Sequence, residues 1–445
     1  MSGLLPVCGF RPPVPRAVRL LLINIRQTRT SVAGHPAQCA GDVISLEPGQ
    51  TLAAIHEAEG WAVRTEPRVL LDATAIPADR GGVGRYVDSL TGALDAAGAA
   101  LSVVCQHRDA ETFAALAPHS RIVPTAEELG SRPARLAWEQ TTLARLAKRL
   151  PVEVIHSPHY TMPLAAGVPV VVTLHDATFF SDRGLHLGVK GRFFRAWTRT
   201  SLRRAAVCIV PSQATADELT RYAHPGPDAM MVAYHGVDQK VFRVPDEHRV
   251  QALRDHLGLG DQQWIAFLGT LEPRKNVPAL VRAYTRAASP RADPPTLVLA
   301  GSPGWDLGVQ PALDAVPDGL RVLRPGHLPV DLLPGLLGGA LVVVYPSLGE
   351  GFGLPVLEAM ACGAAVLTTR KLSLPEVGGD AVAYTGTGAG DIAAALTELL
   401  DDPPRRAQLS AAAVRRAAGF TWTASAAAHQ LAYDRAAASA AAARS

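Results

Sequence analysis

From Arg68 onward, short apolar runs rich in Val, Ile and Leu alternate with longer amphipathic stretches. A short run without polar alternation suits a strand covered on both faces. An amphipathic stretch between two such runs suits a crossover helix, so the pattern predicts βαβ units and parallel sheets. In the first half the strand candidates are Arg68 to Ala73, Leu101 to Cys105, Val152 to His156, Val168 to Leu174 and Ala206 to Val210. In the second half they are Trp264 to Leu268, Thr296 to Ala300, Arg321 to Leu323, Ala340 to Tyr345 and Ala365 to Thr368. Two successive series predict an α/β chain of two doubly wound domains, residues 67–240 and 241–415. Gly236 to Gln263 mixes charge, Pro and Gly without a buried-strand run, which places the linker there. Ala411 to Ser445 is dominated by Ala and Arg, with Trp422, Leu431 and Tyr433 spaced for a helix, so residues 416–445 are expected to form a docking helix and tail.

The pattern does not reach residues 1–66. Met1 to Ala40 carries Arg11, Arg16, Arg19, Arg26 and Arg29, no acidic residue, and one short apolar stretch, Val18 to Ile25. It lacks the clean apolar region of a signal peptide and the Ser-rich amphipathicity of a transit peptide. We expect a loosely ordered extension outside both domains, such as a start codon placed upstream of the true one would add.

Composition narrows the functional classes. The 445 residues exceed one ordinary core, and 43 Lys plus Arg nearly balance 40 Asp plus Glu, a formal charge of +3. That balance excludes a whole-surface grip on nucleic acid, so any basic site is local. Cys8, Cys39, Cys105, Cys208 and Cys362 contain no C-x-x-C pair and read as thiols in a reducing compartment. The longest apolar runs fall far short of the ~20 residues that span a bilayer. A cytoplasmic location is expected.

In open parallel sheets, ligands bind beyond the carboxyl ends of the strands. After the first run comes a loop ending in Gly81, Gly82, Val83, Gly84, Arg85 and Tyr86, and after Val168 to Leu174 come His175 and Asp176. Trp264 to Leu268 is followed by Gly269, Thr270, Leu271, Glu272, Pro273, Arg274, Lys275 and Asn276. Ala340 to Tyr345 is followed by Pro346 to Gly349, then Glu350, Gly351, Phe352, Gly353, Leu354 and Pro355. Gly351 and Gly353 allow close approach of backbone to a ligand, and Pro355 suits the first turn of a helix whose free N–H groups form an anion site. Glu350 before that helix and Glu358 inside it bracket the loop. Arg274 and Lys275 supply cations that suit phosphate oxygens. Taken singly, the glycines read equally well as an ordinary turn and the two cations as a solvated pair. Their joint occurrence at one sheet edge, with Gly82 and Gly84 across the cleft, points to a diphosphate held between two domains.

These residues resemble a known family. Glu350 to Gly363, E-G-F-G-L-P-V-L-E-A-M-A-C-G, is similar to the E-x7-E signature of retaining glycosyltransferases of family 4. Gly269 to Asn276 looks like that family's R-K-N phosphate loop and Gly81 to Tyr86 like its N-terminal glycine loop. His175-Asp176, Ser212 and His235-Gly236-Val237-Asp238 fall in the family's order. The resemblance covers Arg68 to the C-terminus. It implies a GT-B architecture, two Rossmann-like domains facing across a cleft, with the last helix crossing back to the N-terminal domain. It also implies a nucleotide diphosphate sugar as donor. Glu358 would bond the ribose, Arg274 and Lys275 the diphosphate, and Glu350 with the backbone of Gly351, Phe352, Gly353 and Leu354 the donor sugar.

Charge develops on the departing phosphate during glycosyl transfer, so preorganised cations and helix N–H groups should supply most of the catalysis. No D-x-D pair occurs in the chain, and no metal or other cofactor is expected. Glu350 reads either as a covalent nucleophile or as a positioner of sugar hydroxyls. The resemblance favours the second, with retention of configuration and the leaving phosphate as base. His175 is expected to contact the donor sugar, the alternative being a hydrogen-bonded structural histidine. His156 and His159 read equally as acceptor-side groups or as structural ones. Lys190, Arg192, Arg195, Arg199 and Arg203 recur at helical spacing among Phe193, Phe194, Trp197 and Leu202. Such a face either touches anionic lipid and a lipid-linked acceptor or is a solvated arginine face over aromatic packing, the reading we prefer.

The expectation is therefore a metal-independent transferase moving a hexose, first guess mannose from GDP-mannose, to a glycan or lipid-linked acceptor in cell-envelope polysaccharide biosynthesis. A UDP-sugar-dependent glucosyl- or N-acetylglucosaminyltransferase is an alternative. So is a nucleotide-sugar epimerase, which needs an acid/base pair acting on the sugar. A non-catalytic binding protein would not need the complete set of Arg274, Lys275, Glu350 and Glu358.

Overall fold

All strand pairs among the described residues are parallel, and they form two separate sheets. The computed structural model describes residues 44–45, 67–77, 80–126, 129–181, 188–226 and 228–442. The first sheet holds β1 (Ile44–Ser45), β2 (Val69–Asp72), β3 (Leu101–Cys105), β4 (Arg121–Pro124), β5 (Val154–Ser157), β6 (Val170–Thr173), β7 (Val207–Val210) and β8 (Met230–Val232). Their order is β1-β8-β7-β6-β5-β2-β3-β4. The second sheet holds β9 (Trp264–Leu268), β10 (Thr296–Ala300), β11 (Val322–Gly326), β12 (Val342–Tyr345), β13 (Val366–Thr369) and β14 (Ala383–Thr385), in the order β11-β10-β9-β12-β13-β14. Both orders are those of doubly wound sheets, with helices packed on the two faces. This is the α/β GT-B fold.

The helices that matter below are α1 (Gly81–Ala96), α2 (Gly188–Arg204), α3 (Gln213–Ala223), α4 (Glu247–Leu257), α5 (Val277–Ala288), α6 (Leu354–Ala361), α7 (Leu374–Gly378), α8 (Pro403–Ala417) and α9 (Trp422–Ala442). The central strands are the all-buried runs Val-Val-Val-Thr in β6, Val-Cys-Ile-Val in β7 and Val-Val-Val-Tyr in β12. Burial on both faces removes the period-two alternation that half-exposed strands show. The second core gathers β9, β10, β12, α5 and α6 around Trp264, Phe267, Tyr284 and Tyr345. The first sheet separates two cores, one under α1 and α9 and one under α2 and α3.

Two expectations change. The stretch proposed as a linker contains α4, and Val237, Phe242, Leu253 and Leu259 are buried in the second core, so much of it is domain rather than connector. The single C-terminal helix is two helices, α8 and α9, broken at residues 418–421. The break lies where the chain crosses back. Val237 N donates to Phe420 O over 3.1 Å, and a Cβ on Gly236 would lie 2.2 Å from Trp422 N, so only glycine lets the two crossings touch. Apart from Ile44 and Ser45, which pair with Met231 and Val232, the expected N-terminal extension lies outside the described residues. Cys105, Cys208 and Cys362 are buried free thiols. No helix among the described residues is long and apolar enough to cross a membrane.

Candidate active site

The second sheet reverses direction between β9 and β12, so the loops leaving these two strands share one crevice. The first loop carries a 3-10 turn, Pro273–Lys275, and the second leads into α6. Their side chains converge on Glu350. Its Oε1 accepts from Lys275 Nζ at 2.7 Å, Ser347 Oγ at 2.6 Å and Tyr345 OH at 3.0 Å, and its Oε2 accepts from Arg274. Arg274 also donates to the carbonyl of Gly349 at 2.7 Å and pairs with Glu272 at 2.7 Å. Burial pushes the Glu350 carboxyl up, but Arg274, Lys275 and Ser347 outweigh it and hold the group at about 2. Burial and the Arg274 charge pull the Lys275 ammonium down. Glu350 is thus a permanently ionised anchor that fixes two cations, with both of its oxygens engaged.

The loop between β12 and α6 is tied from β13 and α7. Thr369 Oγ1 donates to Ser347 O at 2.6 Å, and Ser373 Oγ bonds the carbonyls of Glu350 and Phe352 at 2.9 and 2.8 Å. Gly353 caps α6 with φ +103°, a conformation that disfavours any side chain. Phe352 is buried against His235, Tyr234 and Phe420. Leu354 is the first residue of α6 and Pro355 the second.

Gly351 meets the other domain. A Cβ there would lie 1.8 Å from the carbonyl oxygen of His175 and 2.8 Å from Asp176 Cβ. Its own carbonyl accepts from Ser212 Oγ at 2.6 Å and Thr215 Oγ1 at 3.1 Å. The close approach that the sequence reserves for a ligand is, on this side, an approach between domains. A second tie lies beside it, because Glu376 in α7 accepts from the backbone N–H groups of Gln213 and Ala214 at 2.8 and 2.6 Å. A third joins Glu358 in α6 to Arg85 in α1, Nη1 to Oε1 at 2.6 Å.

In the N-terminal domain the glycine segment differs from the expected loop. Gly81 and Gly82 already belong to the first turn of α1, and a Cβ on either would meet nothing within 4 Å. Gly84 is buried, and a Cβ there would meet Arg80 at 3.1 Å and Ile76 at 3.3 Å, so its missing side chain serves internal packing. His175 is half-buried and donates from Nε2 to the carbonyl of Pro158 at 2.7 Å; burial lowers its pKa and keeps the ring neutral. His156 is fully buried and bonded to Thr173 and Tyr433, a structural group and not an acceptor-side one. His159 packs beside His175, ring centroids 6.3 Å apart, with a buried Nδ1 that has no hydrogen-bond partner. On α2, Arg195 donates to the carbonyl of Phe179 at 2.8 Å and Arg199 stacks over Phe180, so only part of the basic face is free.

The sequence reading missed the roles of Arg85, Glu272, Tyr345, Ser347 and Glu376. Glu272, Tyr345 and Ser347 lie within or beside the motifs and are findable by asking what neutralises adjacent buried cations. Arg85 and Glu376 act across the cleft, which no local spacing reveals. Among the described residues no group of three or more His, Cys, Asp or Glu is placed to hold a metal ion.

Known proteins are similar to this chain in sequence and in fold. The model of Glycosyltransferase Family 4 matches residues 80–241, and that of Glycosyl transferases group 1 matches residues 250–416. O-antigen chain mannosyltransferase B of Escherichia coli is 30% identical over 274 residues, 60% of this chain and 71% of that protein. The serotype-specific mannosyltransferase WbdA of Escherichia coli is 31% identical over 335 residues, 71% of this chain and 41% of that longer protein. Among solved structures, HepE of Anabaena in complex with UDP-glucose superposes with a TM-score of 0.64 at 18% identity, covering 84% of this chain and 99% of that one. Two family matches in tandem, a relative aligned over most of its length and the two-domain fold together place this chain in glycosyltransferase family 4.

Proposed function

We propose that the enzyme is a retaining mannosyltransferase that takes its sugar from GDP-mannose and passes it to a glycan or lipid-linked acceptor in cell-envelope polysaccharide assembly. The observation that carries the reading is the cluster of Arg274, Lys275 and Glu350 at the switch point of the second sheet. It sets two cations, rigidly and at low cost in reorganisation, where a leaving diphosphate would gather charge. In this reading protein cations stand where a divalent metal stands in other transferases. Glu358 holds the ribose, and the backbone of Gly351 to Leu354 at the start of α6 receives the sugar and β-phosphate. Gly82 lies across the cleft, and His175 lies beside the sugar.

Glu350 does not present the free oxygen that a covalent nucleophile needs, since both of its oxygens already accept from cations and hydroxyls. That supports attack by the acceptor on the face the phosphate leaves, with the phosphate taking the acceptor's proton. The names of the two Escherichia coli relatives support mannose as the sugar. Exposed Val189, Arg192, Phe193 and Arg203 on α2 support contact with anionic lipid, which flotation on anionic against neutral vesicles tests.

A thermal-shift panel of UDP, GDP and ADP sugars tests the donor. A ligand at 100 times its dissociation constant adds roughly 2.7 kcal/mol. GDP-mannose should give the largest shift, and a larger shift with a UDP or ADP sugar overturns the mannosyl assignment. NMR of the product anomer tests retention.

A further inference from the structure

The donor cleft is electrically balanced before any ligand arrives. Arg274 and Lys275 pair with Glu350, Arg274 also with Glu272, and Arg85 with Glu358. A nucleotide sugar brings a diphosphate with two negative charges. Holding it in a half-buried cleft requires a cation able to change partners.

The three cations are not equally bound. Arg274 and Lys275 share a carboxylate that two hydroxyls also hold, and their side chains are 15% and 9% exposed. Arg85 is 32% exposed and grips its carboxylate through one nitrogen. The other oxygen of that carboxylate, Glu358 Oε2, is buried with no hydrogen-bond partner. A buried orphan acceptor is a defect that native structures rarely leave unfilled. Here it marks a place for a donor group that the protein does not supply.

We propose that Arg85 exchanges partners when the donor binds: the ribose hydroxyls take Glu358, its orphan oxygen included, and the released guanidinium turns to the diphosphate. The proposal rests on the donor reading above and adds a residue to it. Arg85 lies one turn into α1, beyond Gly81 and Gly82, whose Cα positions border open space. The next residue, Tyr86, is fully buried and hydrogen-bonded to Thr173 and His429, so the helix stays fixed while the long side chain swings. The pair that ties the domains without ligand is thereby replaced by two contacts that tie them through it.

The test compares diphosphate with nucleoside. Calorimetric titration of the full chain with UDP, GDP and ADP, and with uridine, guanosine and adenosine, gives the preference of the wild-type protein. Arg85→Gln keeps an N–H donor for Glu358 but no charge, and Arg85→Met removes both. In both variants the diphosphate-over-nucleoside preference should fall at least tenfold while nucleoside binding is no weaker. A preference that stays unchanged in folded Arg85→Gln overturns the proposal, because a purely structural pair affects both ligands by the same factor. Wild-type protein that binds none of the three diphosphates overturns the donor reading itself, a separate result visible before any variant is made.

Discussion

Tyr86 donates its hydroxyl to Nε2 of His429 over 2.8 Å, joining the first helix of the N-terminal domain to the last helix of the chain. The direction follows from the neighbours. His429 Nδ1 faces the carbonyl of Ser425 at 2.7 Å and must donate, so Nε2 of the neutral ring accepts. Tyr86 has then used its proton, and Thr173 Oγ1 at 2.9 Å donates to it; His156 Nε2 donates to Thr173 at 2.8 Å, and Tyr433 OH donates to His156 Nδ1 at 2.9 Å. One sense of donation satisfies every member. It requires both imidazoles to be neutral, and burial lowers His156 well below its ordinary value and His429 to about 4.

A pH dependence follows. The folded pKa of His429 lies below its unfolded value near 6.5, so unfolding takes up a proton between pH 6.5 and pH 4. Stability is intact above pH 6.5, is lost as pH falls through that window, and levels off below it. The loss from this one group is roughly 3 kcal/mol. In urea unfolding at pH 7, 6 and 5, His429→Gln should flatten the profile by about one proton relative to wild type. Parallel profiles would show that His429 is not the neutral acceptor assigned here. Tyr86→Phe leaves His429 Nε2 without a donor and the Thr173 hydroxyl without an acceptor for its proton, and should cost about 1 to 3 kcal/mol at pH 7.

Gly351→Ala should separate activity from secondary structure. The new Cβ cannot coexist with the His175 carbonyl at 1.8 Å, and both partners are backbone, so the two loops must part. A displacement of this order at a positioning element costs up to about 100-fold in rate. The expected outcome is unchanged circular dichroism with kcat/KM reduced at least tenfold. Full activity in Gly351→Ala would sink the claim that this contact sets the cleft.

Arg274→Lys should behave as a drastic change. Arg274 reaches Gly349 O, Glu350 and Glu272 from two nitrogens in one plane, and an ammonium cannot reproduce that fork. Loss of one stabilising cation at a developing anion costs about 2 to 4 kcal/mol, which should appear mainly in kcat with little change in donor KM. A change confined to KM would move Arg274 from the chemistry to ground-state binding. Glu350→Gln adds a stability check. Glu350 is held at about 2 against an ordinary 4.5, so its contribution is present above pH 4.5 and lost as pH falls toward 2. The acid limb should flatten in Glu350→Gln.

The strands and the phosphate-side motifs were legible because each is local. Leu101–Cys105, Trp264–Leu268 and Thr296–Ala300 begin and end where their apolar runs do. The strands that went unread were β1, two residues long, β4 and β14, half-exposed at sheet edges, and β8, only three residues long. Too few residues, or too much exposure, leaves no pattern to detect. Glu350, Arg274 and Lys275 stood out by type and spacing. Arg85, Glu376 and the Tyr86–His429 bond did not, because each joins elements that sequence separates by more than a hundred residues. Gly351 was picked for the right reason, close approach, but the neighbour it admits is the His175 carbonyl.

Glu376 and Ser212 should act as one clasp. Ser212 is the N-cap of α3, accepting from Thr215 N at 3.1 Å while its hydroxyl donates to Gly351 O. Glu376 reaches the same helix end from the other domain and accepts from its first two N–H groups, where the helix dipole favours a carboxylate. Glu376→Gln replaces one acceptor oxygen by a second donor and should cost about 1 to 2 kcal/mol; Ser212→Ala should cost about 1 kcal/mol as a lost cap. Either change frees the turn that the other still grips, so the costs should not add. A double-mutant cycle should show coupling above about 0.5 kcal/mol, the range for residues in one network. Because the Ser212 tie ends on Gly351 in the loop that carries Glu350, and Glu376 lies in α7 just after Ser373, whose hydroxyl holds that loop, the same variants should raise donor KM. Additive stabilities together with an unchanged KM would reduce the clasp to two independent helix caps.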